Sequence, residues 1–348
     1  MIFVPFTAPG DIVEVRLVED KARYAKGELV SVLEPSSVRV QPRCTVFGQC
    51  GGCQWQHLPY DLQWQIKNNG IHQALSLAKV VSPVEWQQYP ASTQWAYRNR
   101  IQLRGLAAKL GFFAKGSHNL VAITRCEIAC EEINQVLPDI QKEGEKLDNG
   151  YKVELAVLAD KNVQRFWNSH HGVAGFRQVN DEQNQHLINW VNKALVQRET
   201  ILDLYGGSAN LSLSFAGTVR DIHCVDINIP QLPTTNFPNN IHFHRQDVLP
   251  WLQQTLLQDK MKKLQAATRA WSAIIDPPRG GLGDNYELIL KGLKQLGVVE
   301  VVTIGCKSDP WARDIARFIQ HGWRLKQVAT FDFFPQTYHV EAAALLVC

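Results

Sequence analysis

Long apolar runs are absent from this sequence. No stretch of the 348 residues approaches the roughly 20 apolar residues that a membrane-spanning helix needs. The start, Met-Ile-Phe-Val-Pro-Phe, lacks the basic residues that open a secretory signal peptide. Internal repeats and low-complexity tracts are also absent, which excludes solenoid and fibrous architectures. We therefore expect a cytoplasmic globular protein that is a monomer and does not contact membranes.

A strong excess of charge of either sign is lacking as well. The formal net charge is +3, and 20% of the residues are charged. Composition alone therefore does not indicate a nucleic-acid-binding protein. The length is sufficient for two or three domains with their own cores. Because there are eight cysteines and no secretory signal, we expect thiol or metal chemistry in a reducing compartment rather than disulfides.

Four of the cysteines form a pattern typical of a metal centre. Cys44, Cys50 and Cys53 form the string C-x5-C-G-G-C, and Cys126 follows much later in the chain. Glycines between cysteines let the backbone wrap closely around a metal centre, with amide groups facing the sulfurs. Three close thiolates and one remote thiolate suit either zinc or an iron–sulfur cluster, and the spacing leaves this choice open. His57 is an alternative fourth ligand.

The C-terminal half alternates buried strands with polar turns. Residues 201–205 read as a short buried strand, followed by the turn Gly-Gly-Ser-Ala-Asn and a helical stretch. This turn is not G-x-G-x-x-G and no lysine follows it, so we do not expect a phosphate-binding loop. Asp203, Asp226 and Asp276 each end a predicted strand and outline one cleft at the carboxyl edge of a parallel sheet. The pattern predicts an adenosine-containing ligand, such as S-adenosylmethionine.

A candidate nucleophile lies at a later strand-to-helix corner. Cys306 follows a β-branched run that reads as a buried strand. Asp309 suits an N-cap and Pro310 a first helical position, so we predict a helix from about Trp311. The positive helix end and the neighbouring Lys307 both favour a thiolate at Cys306.

Seven features of the sequence are recognisable together. They are C-x5-C-G-G-C-Q-W-Q-H from Cys44, Y-R-N-R from Tyr97, F-R-Q-V-N from Phe176, D-L-Y-G-G-S-A-N from Asp203, D-P-P-R from Asp276, Cys306 itself, and F-P-Q-T-Y-H-V-E from Phe334. In these features the chain resembles the S-adenosylmethionine-dependent RNA uracil-5-methyltransferases that carry an iron–sulfur cluster. The resemblance covers nearly the whole sequence.

The resemblance implies a fold and a set of roles. The fold is α/β, a doubly wound Rossmann-like class I methyltransferase domain with an N-terminal partial OB-like β-barrel and a small cluster-bearing α+β domain. The catalytic residues are the nucleophile Cys306 and the base Glu341. A 4Fe–4S cluster is held by Cys44, Cys50, Cys53 and Cys126. S-adenosylmethionine is contacted by Gln178, Tyr205, Asn210, Asp226, Asp247 and Asp276.

We predict three domains along the chain. Residues 1–43 form a partial OB-like, TRAM-like barrel, residues 44–175 a cluster-bearing domain, and residues 176–348 the methyltransferase domain. The helix around Tyr60 to Leu77 is expected to pack on the catalytic domain, which makes the boundary near 55–80 discontinuous.

Two features depart from the family pattern. The residues after the nucleophile are Lys-Ser-Asp-Pro instead of Asn-Pro, and this concerns how Cys306 is oriented. The segment after Asp226 contains three prolines, which predicts a loop where the family has a helix. The shape of the adenine pocket depends on that segment.

For RNA contact, the sequence points to residues 86–126, which contain no Asp or Glu. Basic residues there, among them Arg98, Arg100 and Arg104, alternate with aromatic residues, a mixture that suits single-stranded RNA. A solvated sheet face with its aromatic residues in the core explains the same composition.

Three functions remain open at this stage. The first is methylation of a uridine in 23S rRNA, which we favour over the same reaction on tRNA. The second is a catalytically silent RNA-binding iron–sulfur protein, suggested by the two departures. The third is an amino-group methyltransferase, since Asp-Pro-Pro-Arg resembles the Asp-Pro-Pro-Tyr of that class, which needs no cysteine nucleophile.

Overall fold

The computed structural model describes residues 1–81, 84–147, 149–169, 178–197, 199–229, 237–262 and 271–348. The chain divides into two compact units. Unit 1 comprises Met1–Ile66, Ser92–His171 and Phe334–Tyr338, and unit 2 comprises Lys67–Ala91, Gly172–Phe333 and His339–Cys348. These units differ from the three ranges predicted above, because residues 1–43 share a unit with most of 44–175 while 67–91 belong with the C-terminal half.

Unit 1 begins with a three-stranded sheet. Its strands are β1 (Ile2–Phe3), β2 (Ile12–Asp20) and β3 (Ala25–Glu34), in the order β1-β3-β2. The Arg39 side chain closes this part, because its Nε and Nη2 donate to Asp11 at 2.8 and 2.6 Å. The same hydrogen bonds hold the pKa of the Asp11 carboxyl well below its usual range. Three strands agree with the expectation of a partial barrel.

The rest of unit 1 is built on a five-stranded antiparallel sheet. In spatial order its strands are β7 (Leu120–Ala122), β6 (Lys109–Phe113), β5 (Arg100–Leu106), β8 (Tyr151–Val157) and β9 (Val163–Trp167). The amphipathic helix α2 (Glu131–Gly144) packs on this sheet through Ile133, Leu137 and Ile140, all of which are buried. The Tyr151 ring lies so close to Gly105 and Gly144 that a Cβ at either glycine would overlap it.

Unit 2 is built on an eight-stranded sheet. In spatial order the strands are β12 (Ile241–His244), β11 (Asp221–Val225), β10 (Thr200–Leu204), β13 (Trp271–Ile275), β14 (Val298–Gly305), β16 (Glu341–Val347), β15 (Arg324–Phe331) and β4 (Glu85–Tyr89). The first five are parallel, β16 is antiparallel to both of its neighbours, and β4 is parallel to β15. The central strands β10 and β13 are buried throughout, as parallel strands covered on both faces should be.

The helices of unit 2 follow the strands in the order expected of a doubly wound fold. They are α3 (Asp181–Ala194), α4 (Val248–Lys262), α5 (Tyr286–Leu296) and α6 (Ser308–Gln320). Asn180 caps α3, because its side chain accepts the Gln183 amide hydrogen at 3.2 Å. The predicted α/β class with its doubly wound sheet is confirmed, and the parallel strands place their carboxyl ends at one edge.

One helix, α1 (Tyr60–Leu77), contains the chain's first crossing between the units. Within unit 2, Lys67 Nζ lies 2.7 Å from Asp332 Oδ1, and both side chains are fully buried. Next to this pair, Thr330 Oγ1 donates to Asn68 Oδ1 at 2.7 Å. Buried polar side chains therefore bind this part of α1 to the end of β15. Across the described residues, every helix is too short or too polar to traverse a lipid bilayer.

The start of α6 corrects one prediction. The helix begins at Ser308, three residues earlier than predicted, so Asp309 is in the first turn and is not the N-cap. Lys307 occupies the N-cap position without a side-chain capping bond. Pro310 is tolerated because the first N–H groups of a helix have no partner within it.

Candidate active site

Cys306 lies between the end of β14 and the start of α6, as the sequence predicts. The residue before it must be glycine, because a Cβ on Gly305 would lie 2.7 Å from the Trp311 side chain. Gly305 pairs with Ala342 in the antiparallel ladder between β14 and β16. The residue that follows β14 and the first residue of β16 are therefore each one position away from this pair. These two residues are Cys306 and Glu341.

The protonation state of Cys306 contradicts the prediction of a favoured thiolate. Burial, followed by the charges of Glu341 and Asp276, raises the pKa of the Cys306 thiol to about 11. The Arg279 guanidinium acts in the opposite direction but does not offset them. The helix end and Lys307 are local influences, whereas the two carboxyl groups arrive from distant parts of the chain. The free protein therefore holds a protonated thiol at neutral pH.

Glu341 opens β16 and is buried, with 6% of its surface exposed. Burial, with a further contribution from the Asp276 charge, raises its pKa well above the usual value of a glutamate, and Arg279 opposes this. A carboxyl with a raised pKa is a stronger base once it has lost its proton. The thiol and the carboxyl thus form a coupled pair in which the charge of one disfavours the charge of the other.

The glycine turn after β10 is held by an acidic residue beneath it. Ser212 Oγ donates to Asp203 Oδ2 at 2.5 Å, and Asp203 is 1% exposed. A Cβ on Gly206 would lie 2.5 Å from the Asp203 carboxyl carbon, so only glycine fits there. Burial raises the pKa of Asp203 to about 6 despite the hydrogen bond from Ser212. Asp203 therefore stabilises the turn and does not face an open cleft.

The other two strand ends supply the acids that the sequence predicts. Asp226 Oδ2 accepts the Gly207 N–H at 3.1 Å, and its Oδ1 accepts the Asn228 N–H at 2.6 Å. Burial and then the charges of Asp203 and Asp226 raise the pKa of Asp276 to about 7. Three acidic residues at neighbouring strand ends are therefore within electrostatic reach of one another.

The remaining predicted cofactor residues lie in the same unit. Tyr205 has a φ of 64°, and burial followed by the charge of Asp247 raises its pKa to about 12. Asn210 exchanges amide hydrogen bonds with Asn184 of α3 at 2.8 and 3.1 Å. Gln178 is buried at 6% exposure. The structure thus groups Tyr205 with Asp226 and Asp247.

Two predictions fall outside the described residues. These are most of the proline-containing segment after Asp226, residues 230–236, and the start of the F-R-Q-V-N string, residues 176–177.

Arg279 is a site residue to which the sequence analysis assigned no role. It is exposed and follows the two prolines after Asp276. Its charge lowers the pKa of Cys306 and that of Glu341, so it lies within reach of both. The D-P-P-R string contains the signal, because a rigid turn at a strand end fixes where the arginine emerges.

The four predicted metal ligands line one cavity of about 240 Å³ in unit 1. Burial raises the pKa of Cys50 and Cys126, and that of Cys53 to about 12, and charges on the other cysteines contribute. The Gly52 N–H faces the Cys50 sulfur at 3.4 Å. The four cysteines therefore share one pocket, in which an amide group is directed at the Cys50 sulfur.

Two further observations bear on this cavity. His57, the alternative ligand, is not one of its lining residues, and its Nε2 lies 3.1 Å from the Thr7 carbonyl oxygen. Among the described residues, no group of three or more His, Cys, Asp or Glu side chains has the arrangement of a site for one metal ion.

The basic segment 86–126 is less available to RNA than its composition suggests. Arg100 is buried and forms an ion pair with Glu154, which is also buried. Arg98 lines the cysteine cavity and donates to the Arg100 carbonyl oxygen at 2.9 Å. In unit 2, Trp86 stacks on His72 at 3.8 Å. The exposed cations of the segment are Lys109, Lys115 and Arg125. Arg100 is therefore unavailable to phosphates, whereas contact of RNA with Arg98 stays a prediction.

Comparison with known proteins agrees with this architecture. A 23S rRNA (uracil(1939)-C(5))-methyltransferase RlmD of Histophilus somni is 25% identical, with 99% of this chain and 90% of the relative aligned. The protein of the same name from Vibrio cholerae is 28% identical over 99% of this chain and 90% of its own length. The crystal structure of Pyrococcus abyssi tRNA (uracil-54, C5)-methyltransferase in complex with S-adenosyl-L-homocysteine has a TM-score of 0.71 at 21% identity, and it covers 99% of this chain and 95% of its own.

Two family models match the sequence. Residues 1–30 match the TRAM domain, in agreement with the expected N-terminal module. Residues 140–348 match the model described as tRNA (Uracil-5-)-methyltransferase. This second match covers more than half of the chain, and it contains Cys306, Glu341 and all three strand-end acids. The chain belongs to the tRNA (uracil-5-)-methyltransferase family.

Proposed function

We propose that this protein transfers a methyl group from S-adenosylmethionine to carbon 5 of a uridine in 23S rRNA, through a covalent bond between Cys306 and the uracil ring. The observation that carries the proposal is the position of Cys306 and Glu341, each one residue away from the paired residues Gly305 and Ala342, where the charges of Glu341 and Asp276 act on the Cys306 thiol. A thiol next to a base is what covalent activation of a pyrimidine requires. An amino-group methyltransferase has no use for this pair.

Cys306 acts first. Its thiolate adds to carbon 6 of the uracil, which turns the ring into an enolate that is nucleophilic at carbon 5. S-adenosylmethionine supplies the electrophilic methyl group. After methylation, carbon 5 carries both the methyl group and its original hydrogen. Glu341 removes that hydrogen as a proton, and the electron pair of the C–H bond reforms the ring double bond as the thiolate leaves.

The raised pKa values suit this order of events. Burial raises the pKa of both Cys306 and Glu341, and the thiol, with a pKa of about 11, is protected from reaction before the substrate arrives. The positive charge of Arg279 favours the charged forms of both Cys306 and Glu341.

We propose that the edge of the sheet formed by β10, β11 and β13 holds the cofactor. Asp226 directly follows β11, where a carboxylate suits the ribose hydroxyls. The absence of a phosphate-binding turn fits a sulfonium ligand, and the acids at the strand ends favour its positive charge. The proposed contacts are Gln178, Tyr205, Asn210, Asp226, Asp247 and Asp276.

We further propose that Cys44, Cys50, Cys53 and Cys126 hold a 4Fe–4S cluster. Four half-buried thiols share one cavity, and the pKa values of Cys50, Cys53 and Cys126 are raised, so a cationic centre is needed to turn them into thiolates. Amide hydrogens directed at the sulfurs are typical of such centres. These four cysteines would hold a cluster through their thiolates, and their sulfurs would not have to converge on a single ion as they do around zinc. The cluster would fix the loop 44–53 to Cys126.

The choice of RNA rests on the relatives, because the curated proteins quoted above are named for 23S rRNA. The test is to map 5-methyluridine in rRNA and tRNA from cells with the gene, without it, and with Cys306→Ala. We expect one 23S rRNA position to lose its methyl group in the last two. Loss confined to tRNA would transfer the function to that substrate. Full methylation with Cys306→Ala would reject the covalent mechanism.

A further inference from the structure

Three side chains of α6 form hydrogen bonds with the backbone of the turn that follows Asp276. Arg313 Nη2 donates to the Gly280 carbonyl oxygen at 2.6 Å. Asp314 Oδ2 accepts the Leu282 N–H at 2.7 Å. Arg317 Nη1 donates to the Gly283 carbonyl oxygen at 3.1 Å and to Asp314 Oδ1 at 2.9 Å. We refer to Arg313, Asp314 and Arg317 as the α6 clamp.

Asp314 is the buried centre of this clamp. Its residue is 2% exposed, whereas the Arg313 side chain is 47% exposed. Gly281 has a φ of +76°, and a Cβ there would lie 2.1 Å from Asp314 Oδ2. The carboxylate therefore occupies the space that a side chain at 281 would fill, and the turn closes directly over it. A charge this deeply buried is stabilised by the arginine and amide donors around it.

The turn held by the α6 clamp contains Arg279. In the proposed mechanism this residue favours the charged forms of Cys306 and Glu341. Arg279, Cys306 and Asp314 all line one small cleft, together with the prolines at 277 and 278. Asp314 is not among the groups that shift the pKa of Cys306, whereas Arg279 is. Asp314 contacts the turn directly, so a change at Asp314 reaches Arg279 through the position of the turn.

We propose that Asp314 is a positioning residue that locks residues 277–283 onto α6 and so holds the Arg279 guanidinium beside Cys306 and Glu341. The nucleophile and its cation then belong to one rigid assembly, because Cys306 precedes the same helix that grips the turn. The assignment of a role to Arg279 rests on the proposed function, but the position of the turn does not.

The test measures the thiol directly and needs no RNA. The full-length protein is treated with iodoacetamide at pH 8.5, and alkylation of the Cys306 peptide is followed by mass spectrometry. Four proteins are compared, namely wild type, Asp314→Asn, Arg279→Ala and the double variant. A rise of one pKa unit lowers the thiolate fraction about tenfold, and the more basic thiolate recovers about threefold of that in reactivity. We expect Asp314→Asn and Arg279→Ala each to slow alkylation about threefold.

The double variant decides between positioning and general destabilisation. If Asp314 acts through Arg279, the double variant reacts as slowly as Arg279→Ala alone. Multiplicative slowing, or an unchanged rate in Asp314→Asn, would overturn the proposal. Glu300→Gln is the matched control, because Glu300 is a buried carboxylate that accepts the N–H groups of Val196 and Gln197. Its alkylation rate should equal that of wild type.

A second variant covers the case in which Asp314→Asn does not fold. Arg313→Ala removes a side chain that is 47% exposed, together with its hydrogen bond to Gly280 and its ion pair with Asp314 at 3.6 Å, but it leaves the buried Asp314 carboxylate in place, so the fold should persist. We expect it to slow alkylation less than Arg279→Ala does, and to have no effect when Arg279 is absent. Equal slowing in both backgrounds would overturn the role of the clamp. Methyl transfer plays no part in these readouts, so they stand even if the proposed function fails.

Discussion

Replacement of Glu341 by glutamine separates the two roles that the active site combines. The substitution removes the ionisable group and keeps the volume of a buried side chain. The thiolate of Cys306 can still add to the ring, and carbon 5 can still accept the methyl group. The hydrogen on carbon 5 then has no base to receive it. We expect turnover to stop at the methylated covalent adduct.

Glu341→Gln should have two effects, a longer-lived adduct and faster alkylation of Cys306. Their sizes follow from general acid–base catalysis and from the structure. Loss of a positioned base costs about 10²- to 10⁴-fold, so the adduct should persist at least about a hundredfold longer. Alkylation of the Cys306 thiol, in contrast, should become faster. Burial is the largest cause of the Cys306 pKa of about 11, and Glu341 is the second. Removing the second cause lowers the pKa of Cys306, and a decrease of about one unit would speed alkylation about threefold.

The adduct is detected with labelled RNA and S-adenosylmethionine on a denaturing gel. Glu341→Gln should give an RNA-linked protein band, and Cys306→Ala combined with Glu341→Gln should give none. Iodoacetamide alkylation of Cys306 should be faster in Glu341→Gln, and the difference should grow with pH because the pKa of Glu341 is itself raised. Normal turnover by Glu341→Gln would refute its role as the base and make His339 or Asp276 the next candidate.

Three other predictions follow. Protein purified without oxygen should be brown and contain four irons, and Cys53→Ser should lose the broad visible absorbance; a colourless protein with stoichiometric zinc would reject the cluster. Replacing the exposed Lys109 and Lys115 by alanine should make the affinity for RNA less dependent on salt. The slope of log affinity against log salt should fall by about 0.7 for each phosphate that the protein no longer neutralises. An unchanged slope would show that this surface is not part of the RNA interface. Lys67→Met takes away the cation beside the buried Asp332 and should lower the free energy of unfolding by about 3–5 kcal/mol in urea titrations, whereas a change below about 1 kcal/mol would contradict the buried ion pair.

Much of the candidate site could be predicted from short strings because it depends on local order. A buried strand followed by a glycine turn places Asp203, Tyr205 and Asn210 whatever the rest of the chain does. Strand ends in a parallel sheet meet at one edge, so Asp226 and Asp276 could be grouped with Asp203 from the order of the strings alone. The position of Cys306 between a strand and a helix was equally local. The family strings added Glu341, which no local pattern identifies.

Other properties were decided only by tertiary structure, because burial and neighbouring charge come from residues distant in sequence. The residues next to Cys306 favour a thiolate, yet Glu341 and Asp276 raise its pKa to about 11. Arg100 reads as a surface cation in a basic segment, yet it is buried against Glu154, 54 residues away. The helix after Cys306 begins at Ser308, one residue before Asp309, although Asp309 has the better capping side chain. Sequence thus determined which groups meet at the sheet edge, and packing determined their protonation, since the free energy of a charge depends on everything that surrounds it in space.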